Sequence, residues 1–191
     1  YIRLTTHNRM ADDYNDREMK SLSTKPYTYT AVIEGNFPEL SYPTSYQLTF
    51  KEGAQVKFIK NDTDGKYFNG KIGRVVELSE DSVKVVCTGE SNEIEVIPQE
   101  WENAKYTINP QTHEIETGIQ GIFRQYPLRL AWAITIHRSQ GLTFDRAIID
   151  AGHSFASGQV YVALSRCRSL DGLVIASKIN TSAIISDERI D

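Results

Sequence analysis

The stretch Leu130 to Gly172 decides how this chain is read. Its centre is Thr135-Ile136-His137-Arg138-Ser139-Gln140-Gly141-Leu142-Thr143-Phe144-Asp145, followed by a second cluster, Tyr161-Val162-Ala163-Leu164-Ser165-Arg166. Both set small hydroxyl residues, glycine and cations between apolar runs. That mixture suits a place where backbone amides and cationic side chains meet phosphates, of a nucleotide or of a nucleic-acid strand. The runs around it carry the fold. Leu130 to Ile136 fits a strand or a buried helix, since periodicity admits both. Arg146 to Asp150 predicts a buried parallel strand, and Leu173 to Ala176 another. Gly158 to Ser165 predicts a helix with Val160, Ala163 and Leu164 inward.

Moving outward, Tyr1 to Thr6 reads as a short strand. Asn8 is placed to cap a helix running to about Leu22, with Asp12 and Asp13 in its first turn and Ala11, Tyr14, Met19 and Leu22 near one face. Lys25 to Ile33 alternates as a strand, and Asn36 to Thr44, with Pro38 and Pro43, reads as a connection. From Leu48 the texture changes. Val56 to Ile59, Gly73 to Leu78, Ser82 to Thr88, Glu93 to Ile97, Lys105 to Ile108 and Glu114 to Ile119 read as short strands. Arg74–Leu78 and Val83–Cys87 form a hairpin around Ser79-Glu80-Asp81. Strands at this spacing predict a small β-barrel. Strand–helix alternation on both flanks predicts an α/β domain of a parallel-sheet kind, residues 1–47 and 125–191, interrupted by a β-insertion at 48–124.

Composition narrows the class. The 191 residues are 40% hydrophobic and 24% charged, enough for a packed core. The net charge of −4 argues against a basic coat over the whole surface, although a local cationic groove remains compatible with it. Arg124, Arg129, Arg138, Arg146, Arg166, Arg168 and Lys178 make the last third the more basic part. The two cysteines, Cys87 and Cys167, stand far apart without metal-type spacing, and fit free thiols in a reducing compartment. The four histidines form no zinc pattern, so no metal site is expected. No apolar run reaches membrane-span length, and the chain, opening at Tyr1, reads as a fragment of a longer protein.

Gly65-Lys66-Tyr67-Phe68-Asn69-Gly70-Lys71 matches the spacing of a phosphate loop. Ile72 follows where a hydroxyl should hold magnesium, and β-patterned residues replace the required helix. A glycine-rich turn between strands is the expected structure. With no other phosphate loop in the sequence, the chain is not expected to hydrolyse ATP alone.

Thr135 to Thr143 strongly resembles motif V of superfamily 1 DNA helicases of the RecD and Pif branch. Val162-Ala163-Leu164-Ser165-Arg166, followed by Ser169-Leu170-Asp171-Gly172-Leu173, resembles their motif VI, and Thr5-Thr6-His7-Asn8 with Asn15 resembles motif IV. Gly53 to Val56, Asn69 to Gly73 and Gln125 to Leu128 resemble the family's inserted SH3-like barrel and its exit. The matches follow family order along nearly the whole chain. The resemblance implies a second RecA-like domain with that barrel inserted. The N-terminal RecA-like domain of the same protein would carry the phosphate loop and the Mg2+ ligands.

The resemblance also implies roles. Arg166 would be an arginine finger on the γ-phosphate of ATP. Gln140 and Gly141 would lie on the ATP side. Thr135, His137, Arg138 and Ser139 would touch single-stranded DNA, with Thr6, His7 and Asn8 as further DNA-side candidates, and Lys57, Lys60, Lys66 and Lys71 as the available cations of the barrel. The whole protein would be an ATP-dependent, Mg2+-requiring helicase moving 5′ to 3′, monomeric, and cytoplasmic at the nucleoid in a bacterial host. The rival readings are a stand-alone nucleic-acid or protein interaction module and a helicase subunit of a RecBCD-like exonuclease. Other conspicuous residues have plainer readings. Arg129 and Arg168 are surface or ion-pair residues, His113 and His153 structural, and Trp101, Trp132 and Tyr27, Tyr29, Tyr42 and Tyr46 packing residues. Asp12-Asp13 is a helix turn rather than a catalytic pair, and Cys167 a small core residue.

Overall fold

A computed structural model describes residues 1–108, 115–152 and 158–179. His113 and His153 therefore lie outside the described residues. In chain order the elements are β1 (Ile2–Thr5), α1 (Asn8–Ser21), β2 (Tyr27–Thr30), β3 (Val32–Gly35), β4 (Gln47–Phe50), β5 (Gln55–Phe58), β6 (Ile72–Leu78) and β7 (Val83–Cys87). There follow β8 (Glu93–Val96), β9 (Gln99–Ile108), β10 (Ile115–Gln125), β11 (Leu128–Leu130), β12 (Ala133–Thr135), β13 (Ala147–Asp150), α2 (Gln159–Leu164) and β14 (Leu173–Ile175). The chain divides into two compact units, Tyr1–Ser23 with Leu130–Asp191, and Thr24–Arg129.

The first unit is built on a four-stranded sheet in the order β12-β1-β13-β14, and every adjacent pair is parallel. Parallel sheets need apolar strands because both faces are covered. Ile2 and Leu4 in β1, Ala133 and Ile134 in β12 and Ala147 and Ile149 in β13 are accordingly buried. Leu130–Ile136, ambiguous in sequence, thus resolves into strand rather than helix around Ala133–Thr135. β14 departs from expectation. It is an edge strand of the described sheet, with Val174 and Ile175 exposed.

Helix α1 starts differently from its sequence signal. His7, not Asn8, occupies the cap position, without a side-chain cap bond, and Asp12 and Asp13 fall beyond the first turn. The helix is fixed to the sheet by Asn15. Its buried amide donates to the Ala133 carbonyl at 2.9 Å and accepts from the Ala133 N–H at 2.8 Å. The side chain so completes the β12 backbone as another strand would.

In the second unit, Lys25–Ile33 is not one strand but two, broken at Ala31. β2 pairs with β4, and β3 pairs with β10. These pairings tie residues 27–35, which the sequence pattern groups with the α/β part, to the Thr24–Arg129 unit. The strands divide among a five-stranded sheet (β11-β5-β6-β7-β8), a three-stranded sheet (β3-β10-β9) and the β2–β4 pair. β9 and β10 form one long antiparallel ribbon of ten and eleven residues in place of several short strands. The β6–β7 hairpin forms as expected, with a bulge between Val75 and Glu77. Two tyrosines grip its turn: Tyr29 donates to the Ser79 carbonyl at 2.6 Å and Tyr126 to the Asp81 carbonyl at 2.7 Å. Gly65–Lys71 lies in turns between β5 and β6, with no helix after it, and is not a phosphate loop.

Candidate functional site

In a parallel sheet the loops leaving the carboxyl ends of neighbouring strands meet at one edge, where ligands bind in α/β folds. Here Thr5 of β1 stands in register with Thr135 of β12. The ladder runs one step further, from the Ile136 N–H to the Thr5 carbonyl at 2.8 Å. The chain then leaves β1 through Thr6 and His7 into α1, and leaves β12 through a 3₁₀ turn at His137–Ser139. The two departures enclose a cavity of about 570 Å³. Thr6, His7 and Asn8 line it from the first side, and Thr135, Ile136, His137, Arg138 and Gln140 from the second. Gln159 and Val162 of α2 close it. DNA-side candidates far apart in sequence are thereby brought into one pocket, and Gln140, expected on the ATP side, lines the same cavity.

The lining residues divide into builders and presented groups. Ser139 is fully buried, and its hydroxyl donates to the Ile136 carbonyl at 2.6 Å. Thr135 is also buried, its hydroxyl accepting the Arg138 N–H at 3.3 Å. Both hydroxyls, expected to touch the strand, bond to the turn's own backbone, and Thr135 also lines the cavity. Thr6 is buried too, with its Oγ1 2.8 Å from His7 Nδ1. His7, Asn8, His137, Arg138 and Gln140 remain exposed. The Arg138 guanidinium has no hydrogen-bond or ion-pair partner among the described residues, so its charge is free for a ligand. Gly141 carries φ +78°, a left-handed backbone that glycine adopts without strain, and a Cβ built there would meet open space.

Arg166 lies just beyond α2 and does not line the cavity. Its Nε donates to the Val162 carbonyl at 3.1 Å, Nη1 to the Leu142 carbonyl at 3.3 Å and Nη2 to Ser165 Oγ at 3.0 Å. All three acceptors are neutral, and among the described residues no carboxylate pairs with it. The backbone around it is tied to the end of the Thr135–Asp145 segment. Phe144 N–H donates to the Arg166 carbonyl at 2.8 Å, and Arg168 N–H to the Phe144 carbonyl at 3.0 Å. Arg168 and Asp145 add an exposed ion pair at 3.0 Å. Cys167 is half-buried with its Sγ 3.7 Å from the Asp145 carbonyl, a lining residue of this junction rather than a core one.

Gly172 completes the junction. A Cβ there would stand 1.9 Å from the Asp145 carbonyl oxygen, so no side chain fits without moving one segment from the other. In α2, Val160 and Ala163 are buried as the pattern predicts, but Leu164 is exposed. The pattern also misses Gln159 and Val162 as pocket residues. The steps of three residues from Gln159 to Val162 and four from Val162 to Arg166 were the available signal.

The second unit offers fewer open cations than its sequence suggests. Lys71 pairs with Glu90 at 2.7 Å and Lys66 with Asp64 at 3.4 Å. Lys60 donates to the Glu100 carbonyl and sits 5.0 Å over the Trp101 ring, and Lys57 is buried. The four were expected as available charges, and each is occupied or enclosed instead. The tyrosines and Trp101 pack as expected: Tyr29 meets Tyr126 at 4.8 Å, Tyr42 meets Phe123 at 4.8 Å and Trp101 meets Phe123 at 6.1 Å between ring centroids.

No protein-family profile matches the chain. Comparison with individual proteins is more telling. The chain is 36% identical over 201 residues to the human ATP-dependent DNA helicase PIF1, a match covering 98% of this chain and 29% of that protein. It is 33% identical over 218 residues to the Psychrobacter ATP-dependent DNA helicase Pif1, covering 90% of this chain and 33% of that one. The structure of unliganded Pif1 from Bacteroides superposes with a TM-score of 0.90 at 38% identity, over 100% of this chain and 43% of that one. Bacteroides Pif1 in complex with ADP-AlF3 and single-stranded DNA superposes at 0.80, also at 38% identity, over 100% of this chain and 43% of that one. The chain spans about a third of the length of the curated relatives it matches. With a parallel RecA-like sheet and this similarity along nearly its whole length, the chain belongs to the Pif1-type helicases, as their C-terminal part.

Proposed function

We propose that the chain is the strand-gripping and nucleotide-sensing part of an ATP-dependent DNA helicase that moves 5′ to 3′ on single-stranded DNA. The observation that carries this reading is the pairing, in one unit, of a pocket with an open arginine and a second arginine lacking a counter-ion among the described residues, joined through α2. The Bacteroides relative that holds ADP-AlF3 and single-stranded DNA supports both ligands; the aluminium fluoride there stands in for a phosphoryl group in transfer. We read the first unit as the second RecA-like domain and the β-rich Thr24–Arg129 unit as the inserted element, its five-stranded sheet supplying the SH3-like part. Phosphate-loop and Mg2+-binding functions fall to the N-terminal RecA-like domain of the same protein.

In this mechanism Arg138, His137, His7 and Asn8 hold the strand, and Thr6, Thr135 and Ser139 shape the loops that present them. Gln140 and Gly141 lie at the start of the path from the pocket to the nucleotide. Arg166, held in reserve on the carbonyls of Val162 and Leu142, exchanges neutral acceptors for the γ-phosphate when the cleft closes on ATP. Hydrogen bonds to charged groups are the stronger kind, so the exchange favours closure. A guanidinium in that position is worth roughly 10³ to 10⁵ in rate. In the full-length protein, Arg166→Ala is expected to lower the ATPase turnover number by about three orders of magnitude while single-strand affinity stays near that of the parent. A turnover number that does not move removes the finger assignment.

A further inference from the structure

The pocket has a wall that the motif reading leaves without a role. Gln159 and Val162 line it from α2, alongside Arg138 and Asn8 from the loops at the sheet edge. We propose that Gln159 is a further strand-contacting residue, and that α2 is the element through which strand occupancy reaches Arg166. The inference rests on the reading of this pocket as a strand site.

The helix shows three distinct faces. Val160 and Ala163 are buried, Tyr161 and Leu164 are exposed to solvent, and Gln159 and Val162 face the pocket. Gln159, Val162 and Arg166 recur at the three- and four-residue spacing that places side chains above one another on a helix. The third member is bound to the second, because the Arg166 Nε donates to the Val162 carbonyl at 3.1 Å. The Arg166 N–H also donates to the Ala163 carbonyl at 3.2 Å, which continues the helical path past its formal end. At 1.5 Å of rise per residue, Gln159 and Arg166 lie roughly 10 Å apart along one short stiff segment. Ligand pressing on one end displaces the other directly.

The chemistry of the wall fits a nucleotide unit of a single strand. A primary amide both donates and accepts, so Gln159 is suited to a phosphate or sugar oxygen or a base edge without requiring a particular sequence. As a neutral group it displaces no counterion, unlike a cation at a phosphate. This separates its contribution from that of Arg138.

The experiment measures affinity of the full-length protein for fluorescent oligothymidylate across a salt series, together with the oligonucleotide concentration that half-maximally stimulates ATPase. Gln159→Ala is expected to weaken binding by about three- to tenfold, the worth of one neutral hydrogen bond, by the same factor at every salt concentration. The half-stimulating concentration should rise in parallel. Gln159→Glu keeps the side chain's size but turns an acidic group toward the strand. Its loss of affinity should be larger and should shrink as salt rises, a pattern that mere loosening of the helix does not produce. Arg138→Ala is the control arm: if it alters neither affinity nor salt slope, the strand-site reading itself falls. If Arg138→Ala acts but both Gln159 variants bind as the parent does, the Gln159 inference falls alone. A raised KM for ATP with unchanged strand affinity also overturns it.

Discussion

At the scale of single residues, the Thr135–Gln140 turn separates groups that build from groups that bind. The Thr135 and Ser139 hydroxyls bond to the turn's own backbone, while Arg138 is exposed and its guanidinium has no partner among the described residues. A cation that neutralises one phosphate releases its condensed counterion, so each such contact adds about 0.7 to the salt slope for a single strand. Arg138→Ala in the full-length protein should therefore weaken single-strand binding and lower that slope by about one phosphate contact, as read from titrations at several salt concentrations. An unchanged slope would take Arg138 off the phosphate backbone. The residue types of this site were legible in the sequence, and the pocket collects most of them. Their orientation was not. Whether a hydroxyl faces ligand or its own backbone depends on turn geometry three residues away, and a serine in a buried turn looks the same in sequence as one on a binding surface.

At the scale of elements, side chains substitute for missing strand neighbours. β12 has β1 on one side, and Asn15 of α1 meets the Ala133 peptide with a donor and an acceptor at 2.9 and 2.8 Å. Asn15→Leu would leave a buried N–H and a buried carbonyl unpaired, at a cost of about 1–3 kcal/mol for each group. The expected result is a clear fall in the urea midpoint of the unit carrying β12, with an unchanged m-value. A midpoint within error of the parent would mean that Ala133 finds other partners. Elements with strong local patterns were the readable ones. The β6–β7 hairpin carries an alternation that its turn residues bound, and Ile2–Thr5 and Ala147–Asp150 are short apolar runs of the kind a covered parallel sheet needs. The broken β2–β3 segment, the long β9–β10 ribbon and the edge position of β14 were hidden, because they follow from non-local pairing that alternation cannot report. Gly172 was hidden for a similar reason: its need is set by the Asp145 carbonyl lying beside it.

At the scale of the whole molecule, alkaline solution acts on the Thr24–Arg129 unit through its buried tyrosines. The shifted tyrosines all belong to the Thr24–Arg129 unit. Burial pushes the Tyr67 hydroxyl up to about 12 from the usual 10.0, with Asp62 adding to it. Burial raises Tyr126, with Asp81 and Glu95 reinforcing the shift, and lifts Tyr29 further still. Below the ordinary tyrosine value both folded and unfolded chains keep these protons, and stability is unaffected. Above it the unfolded chain loses them first and is favoured, so stability falls as pH climbs toward the folded values. The urea midpoint reported by Trp101 in a Trp132→Phe background should hold steady up to about pH 9 and drop by about pH 11. A flat profile would show that the hydroxyls ionise in place.

The neighbours of β1 have a consequence for how the protein is made. Arg3 pairs with Ala133 on one side and Ile148 on the other, so both partners of the first strand are translated long after it. The Thr24–Arg129 unit holds its β2–β4, β5–β8 and β9–β10 pairings within one continuous segment, and that segment is translated before β12. At about 5–20 residues per second, β1 waits on the order of ten seconds as an unpaired apolar strand. The Thr24–Arg129 unit is therefore complete in sequence before the sheet that holds β1 can close. During that interval Ile2 and Leu4, destined for the centre of a sheet, are the residues a chaperone or a neighbouring nascent chain would meet.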